Sequence, residues 1–243
     1  MINESQQRRA DQSIFRWGGL AGIMGGVLLV AAFVPVALFG GGAPPTDPAD
    51  AIMRFPAIRV AQTVEEVLYL GVLALWAIHI VALYRALRAT SPAPALIGSA
   101  LGLMGLVVLA AGALPQVATA PISDLYHAAG ATPDDQATLV LLWQATGGML
   151  DALLVTGLLL LPMGLVTLSV AMLRSPAFGL AYGRVGMLLG AVGTAAAGVL
   201  LVQVSEIAVV VIFALIVFHL SVGGKLVGLS RGWSPLSRHA TAS

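Results

Sequence analysis

Four carboxylic acids inside long apolar stretches are the residues of this sequence best suited to chemistry. They are Glu65, Glu66, Asp151 and Glu206. An ionised side chain is costly inside a bilayer, so it faces protein or water and often marks an ion, proton or ligand site. Clustered carboxyls there would bind a cation or exchange protons with a solute. The alternative is a structural role between helices, which we favour for Glu206 because it lies near a helix end.

Polar and aromatic neighbours extend this acidic set. Gln62 lies three and four residues before the two glutamates, so the three share one helix face about two turns from the outer end of their span. Gln144 and Asp151 share a face at a spacing of seven residues. We therefore predict an outward-facing polar pocket between the second, fourth and sixth spans. Its predicted lining is Gln62, Glu65, Glu66, Tyr69, Trp143, Gln144, Asp151 and Glu206.

Two histidines offer a different chemistry. His79 and His219 lie in the inner halves of the second and sixth spans. Two histidines at one depth on facing helices can ligate the iron of haem b, which we keep as an alternative cofactor. The other interpretation is that each histidine is a buried residue bonded to a neighbouring helix. We expect no other cofactor or metal, since the sequence has no cysteine to form thiolate sites.

The composition places all of these residues in a membrane protein. The chain has 243 residues, of which 58% are hydrophobic and only 9% are charged, whereas soluble domains carry about 25% charged residues. Six apolar stretches are long enough to cross a bilayer. We predict spans at 17–39, 58–87, 95–114, 138–173, 180–202 and 204–226, joined by loops that include 40–56 and 115–136. The fourth span exceeds the bilayer thickness, which predicts a tilted or overhanging helix, kinked near Pro162.

The basic residues predict the orientation. With six spans, ten of the twelve lysines and arginines fall on the side of both termini, leaving only Arg54 and Arg59 opposite. The positive-inside rule then places both termini in the cytoplasm. We predict an all-α polytopic bundle of a prokaryotic plasma membrane with a basic leader (1–16), one transmembrane domain (17–229) and a tail (230–243). The polar leader is not typical of a cleaved signal peptide.

Glycines spaced three or four residues apart predict close helix packing. The first span carries Gly18, Gly22 and Gly26, and the third carries Gly98, Gly102 and Gly105. Such faces let two helices approach closely, within one chain or between copies in a homo-oligomer. The longest ladder is Gly186, Gly190, Thr194 and Gly198 in the fifth span. It predicts that the fifth helix is the central one.

Several stretches resemble a known family. Residues 66–69 (EVLY) open the second span, LYRALR at 83–88 closes it, and a Gly-rich third span follows. Residues 160–193 read LLPMGLVTLSVAMLRSPAFGLAYGRVGMLLGAVG. Together these are similar to a family of bacterial six-helix membrane proteins catalogued as a domain of unknown function (number 4386), over about two thirds of the chain. The resemblance implies a six-helix bundle and brings no catalytic residues with it.

These observations favour a binding protein over an enzyme. The sequence contains no HExxH motif, no P-loop and no Rossmann fingerprint. We expect a non-enzymatic accessory protein of the bilayer whose pocket takes a small or lipid-like ligand or a partner helix, with no nucleic-acid partner. The alternatives are a proton- or cation-coupled transporter of small solutes and a haem-b electron carrier.

Overall fold

The computed structural model describes residues 4–39, 47–202 and 207–232, and these ranges contain seven helices and no strand. In chain order they are α1 (Glu4–Phe39), α2 (Pro48–Leu87), α3 (Pro92–Ala111), α4 (Ala113–Tyr126), α5 (Pro133–Leu173), α6 (Gly179–Leu200) and α7 (Ala208–Gly232). Six segments are long and apolar enough to cross a membrane, with α3 and α4 joined as Pro92–Tyr126. The predicted all-α bundle of six spans is confirmed.

Two predicted loops are partly helical. α2 begins at Pro48, inside the predicted loop 40–56, after Asp47 accepts a hydrogen bond from the backbone N–H of Ala49 at 2.9 Å. Proline suits this first helical position because its missing N–H has no partner there in any case. Pro56 lies inside the helix without ending it. Likewise α4 occupies much of the predicted loop 115–136, and residues 4–16 of the predicted leader form the first part of α1.

The fourth predicted span lies in one helix of 41 residues, α5, which continues through Pro162. Its tilt or overhang in a bilayer and a kink near Pro162 stay predictions. Its start is fixed by a reciprocal capping box. The Thr132 hydroxyl accepts from the backbone N–H of Asp135 at 3.2 Å, and the Asp135 carboxylate accepts from the backbone N–H of Thr132 at 3.0 Å. Two backbone donors that the helix itself cannot satisfy are thereby paired.

We expect Thr132→Ala to lower the free energy of unfolding by about 1 kcal/mol, because it removes the side-chain acceptor for a helix N-terminus. The measurement is reversible unfolding in mixed detergent micelles, followed by helical circular dichroism. Thr138→Ala is the matched control, since the Thr138 hydroxyl only donates to the carbonyl of Asp134 in the preceding turn. Equal losses in the two variants would contradict the assigned role of the cap.

The helices alternate in direction, so most basic side chains gather at one end of the bundle, which we call the basic end. Arg16, Arg85, Arg88, Arg174, Arg184 and Lys225 lie there. One ion pair at this end joins Arg85 to Asp11 at 3.1 Å. We call the opposite end the distal end. It contains α4 and the first halves of α2 and α5, and Arg59 there pairs with Asp124 at 2.9 Å.

α2 and α5 lie at the centre of the bundle, each in contact with five other helices. Among the described helices α6 contacts only α5 and α7, so the prediction of a central fifth span is wrong. Its glycine ladder explains the difference: Gly186 and Gly190 pack against Ser169 and Val166 of α5, whereas a Cβ atom placed on Gly198 would meet no atom of another described element within 4 Å. A row of small residues lets one neighbouring helix approach closely, but it does not make its own helix contact several others.

The other predicted glycine faces are confirmed, and they are used inside the chain. Gly18 packs on Ala82 of α2, and Gly26 packs on Leu220 of α7. Gly98 and Gly105 of α3 meet the backbone of α5. The homo-oligomer stays a prediction, and these faces are already covered by neighbouring helices.

Candidate functional site

The distal half of the bundle contains a half-open cavity of about 420 Å³. Side chains from α1, α2, α4, α5 and α7 and from the α3–α4 junction line it. They are Leu29, Ala32, Phe33, Gln62, Glu65, Glu66, Tyr69, Leu109, Gly112, Ala113, Gln116, Leu150, Leu154 and Ile212. The volume lies within the range of small-molecule sites, which are mostly apolar with a few polar groups that orient the ligand. We call this space the distal cavity.

One face of α2 supplies the acidic wall of the distal cavity. Gln62, Glu65, Glu66 and Tyr69 all line it, as the spacing of three and four residues predicted. All four side chains are half-buried. Four of the eight predicted pocket residues are therefore brought together by a single helix.

Two acceptor atoms on this face are enclosed and unpaired. Gln62 Oε1 and Glu66 Oε1 are shielded from solvent, and neither has a hydrogen-bond partner in the part of the chain that the structure describes. An enclosed acceptor without a donor costs about 1–3 kcal/mol, and more when it is charged. The two atoms therefore favour a ligand or solvent molecule that donates hydrogen bonds into the cavity.

The carboxyls lie nearer the membrane boundary than their position in the predicted span indicated. Glu66 stands nineteen residues before Arg85, a distance of about 28 Å along the helix axis. The hydrocarbon core is about 30 Å thick. If Arg85 marks one boundary, the acidic wall reaches the opposite boundary, and α2 continues beyond it to Pro48. The cavity is thus polar near the interface and apolar toward the bilayer centre.

Gln144 and Asp151 do not line the distal cavity, contrary to the prediction. Both side chains are exposed, while Leu150 and Leu154 of the same helix face the cavity. A spacing of seven residues shows that two side chains share a face, but not which way that face points. Asp151 stands twenty-three residues before Arg174, about 34 Å along the axis. If Arg174 marks one boundary, that position is beyond the hydrocarbon core of about 30 Å, where an exposed carboxylate is tolerated.

Trp143 lines a smaller neighbouring cavity of about 150 Å³, which also touches Gln62, Gln116 and Leu150. Its ring meets Phe55 edge to face, with centres 5.3 Å apart. It therefore does not line the distal cavity, contrary to the prediction, and forms an aromatic wall of the adjoining space instead. Glu206 lies outside the described residues, so its predicted part in the pocket stays a prediction.

His79 and His219 are fully buried toward the basic end, away from the distal cavity. Their ring centres are 5.3 Å apart, and Trp76 stacks flat on His219 with centres 4.0 Å apart. The His79 ring also packs directly against Gly22 of α1. Axial ligands of a haem stand on opposite sides of a wide planar macrocycle, and these closely packed rings do not leave room for one.

Sequence reasoning missed two features of these helices. The α3–α4 junction closes one side of the distal cavity with Gly112 and Gln116. Gln116 fell within the predicted loop 115–136, and Gly112 fell near the end of the predicted third span. The sequence GLSRG at 228–232 also matches the GxSxG pattern of serine hydrolases. That pattern requires a sharp strand-to-helix turn, whereas Ser230 lies within α7 and its hydroxyl donates to the carbonyl of Val227 at 2.7 Å. It is not a nucleophile elbow.

The described residues contain no group of three or more histidine, aspartate or glutamate side chains placed to hold a metal ion. No protein-family model, curated protein or solved structure matches this chain. What the protein does has therefore to be argued from the distal cavity itself.

Proposed function

We propose that this is a non-enzymatic membrane protein, of a prokaryotic plasma membrane with both termini in the cytoplasm, that binds an amphipathic ligand in the distal cavity. The ligand carries a hydrogen-bond donor, of which an ammonium group is the best match, on an apolar chain. The observation that carries the proposal is the pair of enclosed, unpaired acceptors, Gln62 Oε1 and Glu66 Oε1, on one edge of a mainly apolar cavity.

The charge and position of the acidic wall support this ligand class. Two neighbouring carboxyls, Glu65 and Glu66, line the cavity, and a cation between them would relieve their mutual repulsion. The wall lies about 28 Å from the level of Arg85, near a bilayer boundary. An amphiphile entering from that boundary would keep its head group at the carboxyls and extend its chain along Leu29, Leu109 and Leu154.

The packing between the distal cavity and the basic end favours binding over the alternative of coupled transport. Val72, Trp76 and Ile80 of α2 are each no more than 1% exposed, and Leu215 and Phe218 of α7 pack in the same core cluster. A solute crossing the bundle would have to displace these side chains. A ligand that only binds in the distal cavity would not have to displace them.

Decylamine is a suitable probe, with decanol and decanoate as equal-chain controls. We expect the purified protein in lipid nanodiscs to bind decylamine at least tenfold more tightly than decanol, and to show no saturable binding of decanoate. Glu66→Gln should weaken decylamine binding at least tenfold, because it removes the charge that pairs with the ammonium group. Isothermal titration calorimetry measures these affinities.

Asp151→Asn is the matched control, since this carboxyl is exposed at a similar distance from the basic end but outside the cavity. It should bind decylamine as the unmodified chain does. Equal affinity for the amine and the alcohol, or equal weakening by both substitutions, would reject the proposed site. If the protein carried the amine into proteoliposomes under an imposed proton gradient, the proposed binding role would be rejected in favour of coupled transport.

A further inference from the structure

A narrow crevice lies between α6 and α7 at the basic end, on the opposite side of the bundle centre from the distal cavity. Its volume is about 170 Å³. Its lining includes Ala181, Tyr182 and Val185 of α6 and Phe218, Ser221 and Val222 of α7. Small-molecule sites usually measure about 300–1,000 Å³. The crevice is therefore too small for a whole small molecule, but it can take one part of a longer molecule.

The crevice is apolar and opens to the outside of the bundle. Phe218 is 0% exposed and Val222 is 1% exposed, so these two side chains form its floor. Ala181 and Val185 are exposed and form its edge. The Ser221 hydroxyl donates to the carbonyl of Phe218 at 3.0 Å, so its hydrogen is already used. Since α6 and α7 are both long and apolar enough to span a membrane, the opening faces lipid chains.

Lys225 stands at the mouth of this crevice. It follows Ser221 and Val222 by four and three residues, so it shares their face of α7. Its Nζ atom lies 5.5 Å from the centre of the Tyr182 ring, which joins α7 to α6 across the mouth. Phe218 comes seven residues earlier, about 10 Å deeper along the helix axis. The crevice thus runs from a positive charge into one leaflet, whose hydrocarbon is about 15 Å thick.

The charge around the mouth is not neutralised by the protein. Arg184 of α6, next to Val185 in the sequence, is exposed and adds a second positive charge at this end. Neither Arg184 nor Lys225 forms an ion pair with a carboxylate of the described residues, and Asp11 at the same end already pairs with Arg85. Basic sites between membrane helices attract anionic lipid head groups. An apolar crevice below such a site complements the chain of the same lipid.

We propose that the α6–α7 crevice binds one anionic phospholipid. Its phosphate lies at Lys225, with Arg184 beside it, and the first part of one acyl chain lies along Phe218 and Val222. The second chain stays in the bilayer, which the small volume of the crevice requires. A zwitterionic lipid has the same chains, but its cationic group would meet two unpaired positive charges. The site is separate from the distal cavity and does not depend on what binds there.

The test is native mass spectrometry of the full chain, delipidated in detergent and titrated with phospholipids of identical palmitoyl and oleoyl chains. Phosphatidylglycerol should give one saturable adduct per chain, with an affinity at least fivefold higher than that of phosphatidylcholine. A fivefold factor corresponds to about 1 kcal/mol, the contribution of one basic side chain near a membrane surface. Glycerol phosphate, which has the charge but no chains, should not displace the bound lipid.

Two variants separate the head-group contact from the chain contact. Lys225→Gln should weaken phosphatidylglycerol binding about fivefold and remove most of the preference over phosphatidylcholine. Ala181→Leu, at the exposed edge, should weaken both lipids by filling the crevice while the charge stays. Arg88→Gln is the matched control, because Arg88 is exposed at the basic end on α2, a helix that does not contact α6 within the described residues.

Three outcomes would overturn the proposal. They are equal affinity for the two lipids, a series of adducts that does not saturate, and displacement by glycerol phosphate, which would indicate a site for a free phosphate group. Equal weakening by the substitutions at positions 88 and 225 would likewise reject Lys225 as the head-group contact. The preference between the two lipids is measured on the unmodified chain, so it decides the matter even if a variant does not fold.

Discussion

Gly164→Val should prevent the bundle from assembling, and Gly164→Ala should lower the free energy of unfolding by about 3 kcal/mol. A Cβ atom on Gly164 would lie 2.6 Å from the backbone nitrogen of Gly102 and 2.8 Å from the carbonyl oxygen of Gly98. Backbone atoms cannot move aside as the end of a flexible side chain can. The two helices would therefore have to separate along their whole contact, at the centre of the molecule.

The expected loss of stability is large because the surrounding lipid does not drive separated helices back together. In a bilayer the association of helices depends on close van der Waals contact rather than on removal of apolar surface from water. α3 and α5 touch through glycines on both sides, so moving them apart removes many contacts together. The measurement is unfolding by sodium dodecyl sulfate in mixed micelles, with the yield of monodisperse protein for the valine variant.

Gly148→Ala, on the same helix, is the matched control. No atom lies within 4 Å of a Cβ placed there, and alanine has a higher helix propensity than glycine by about 1 kcal/mol. This substitution should leave stability unchanged or raise it slightly. A similar loss of stability at positions 148 and 164 would mean that the α3–α5 contact is less close than the structure has it.

The membrane architecture was predictable because it depends on chain properties that need no tertiary information. Hydropathy predicts the six spans. Basic side chains such as Arg85 and Arg174 predict where those spans end on one side of the membrane. The distal ends were harder to predict. Pro48 and Pro56 indicated a loop, yet proline is compatible with the first turn of a helix, and α2 therefore extends well beyond the bilayer.

The distal cavity was predictable on one side only. Gln62 and Glu66 are four residues apart, so any helix places them on one face, and that face happens to point inward. The same reasoning failed for Asp151, which points away from the cavity. The spacing of residues shows which side chains share a helix face, but it does not show how the helix is rotated in the bundle. The walls contributed by Gln116 and Leu150 depend on how α3, α4 and α5 pack. No local pattern encodes that arrangement.

The second large effect concerns Trp76, which we expect to contribute more to stability than any other aromatic side chain of α2. Its indole is 1% exposed, lies against Gly25 of α1 and stacks on His219 of α7. One side chain therefore fills the space where three helices meet. Trp76→Ala should lower the free energy of unfolding by about 3 kcal/mol, the low end for buried tryptophan because surrounding lipid removes part of the transfer contribution.

Trp17→Ala provides the control, since Trp17 is 66% exposed at the start of the first span. It should change the free energy of unfolding by less than about 0.5 kcal/mol in the same mixed micelles. Trp76→Phe should lose less than Trp76→Ala, because a smaller ring still stacks on His219. If alanine is tolerated equally at positions 17 and 76, α1, α2 and α7 are not held together through this indole.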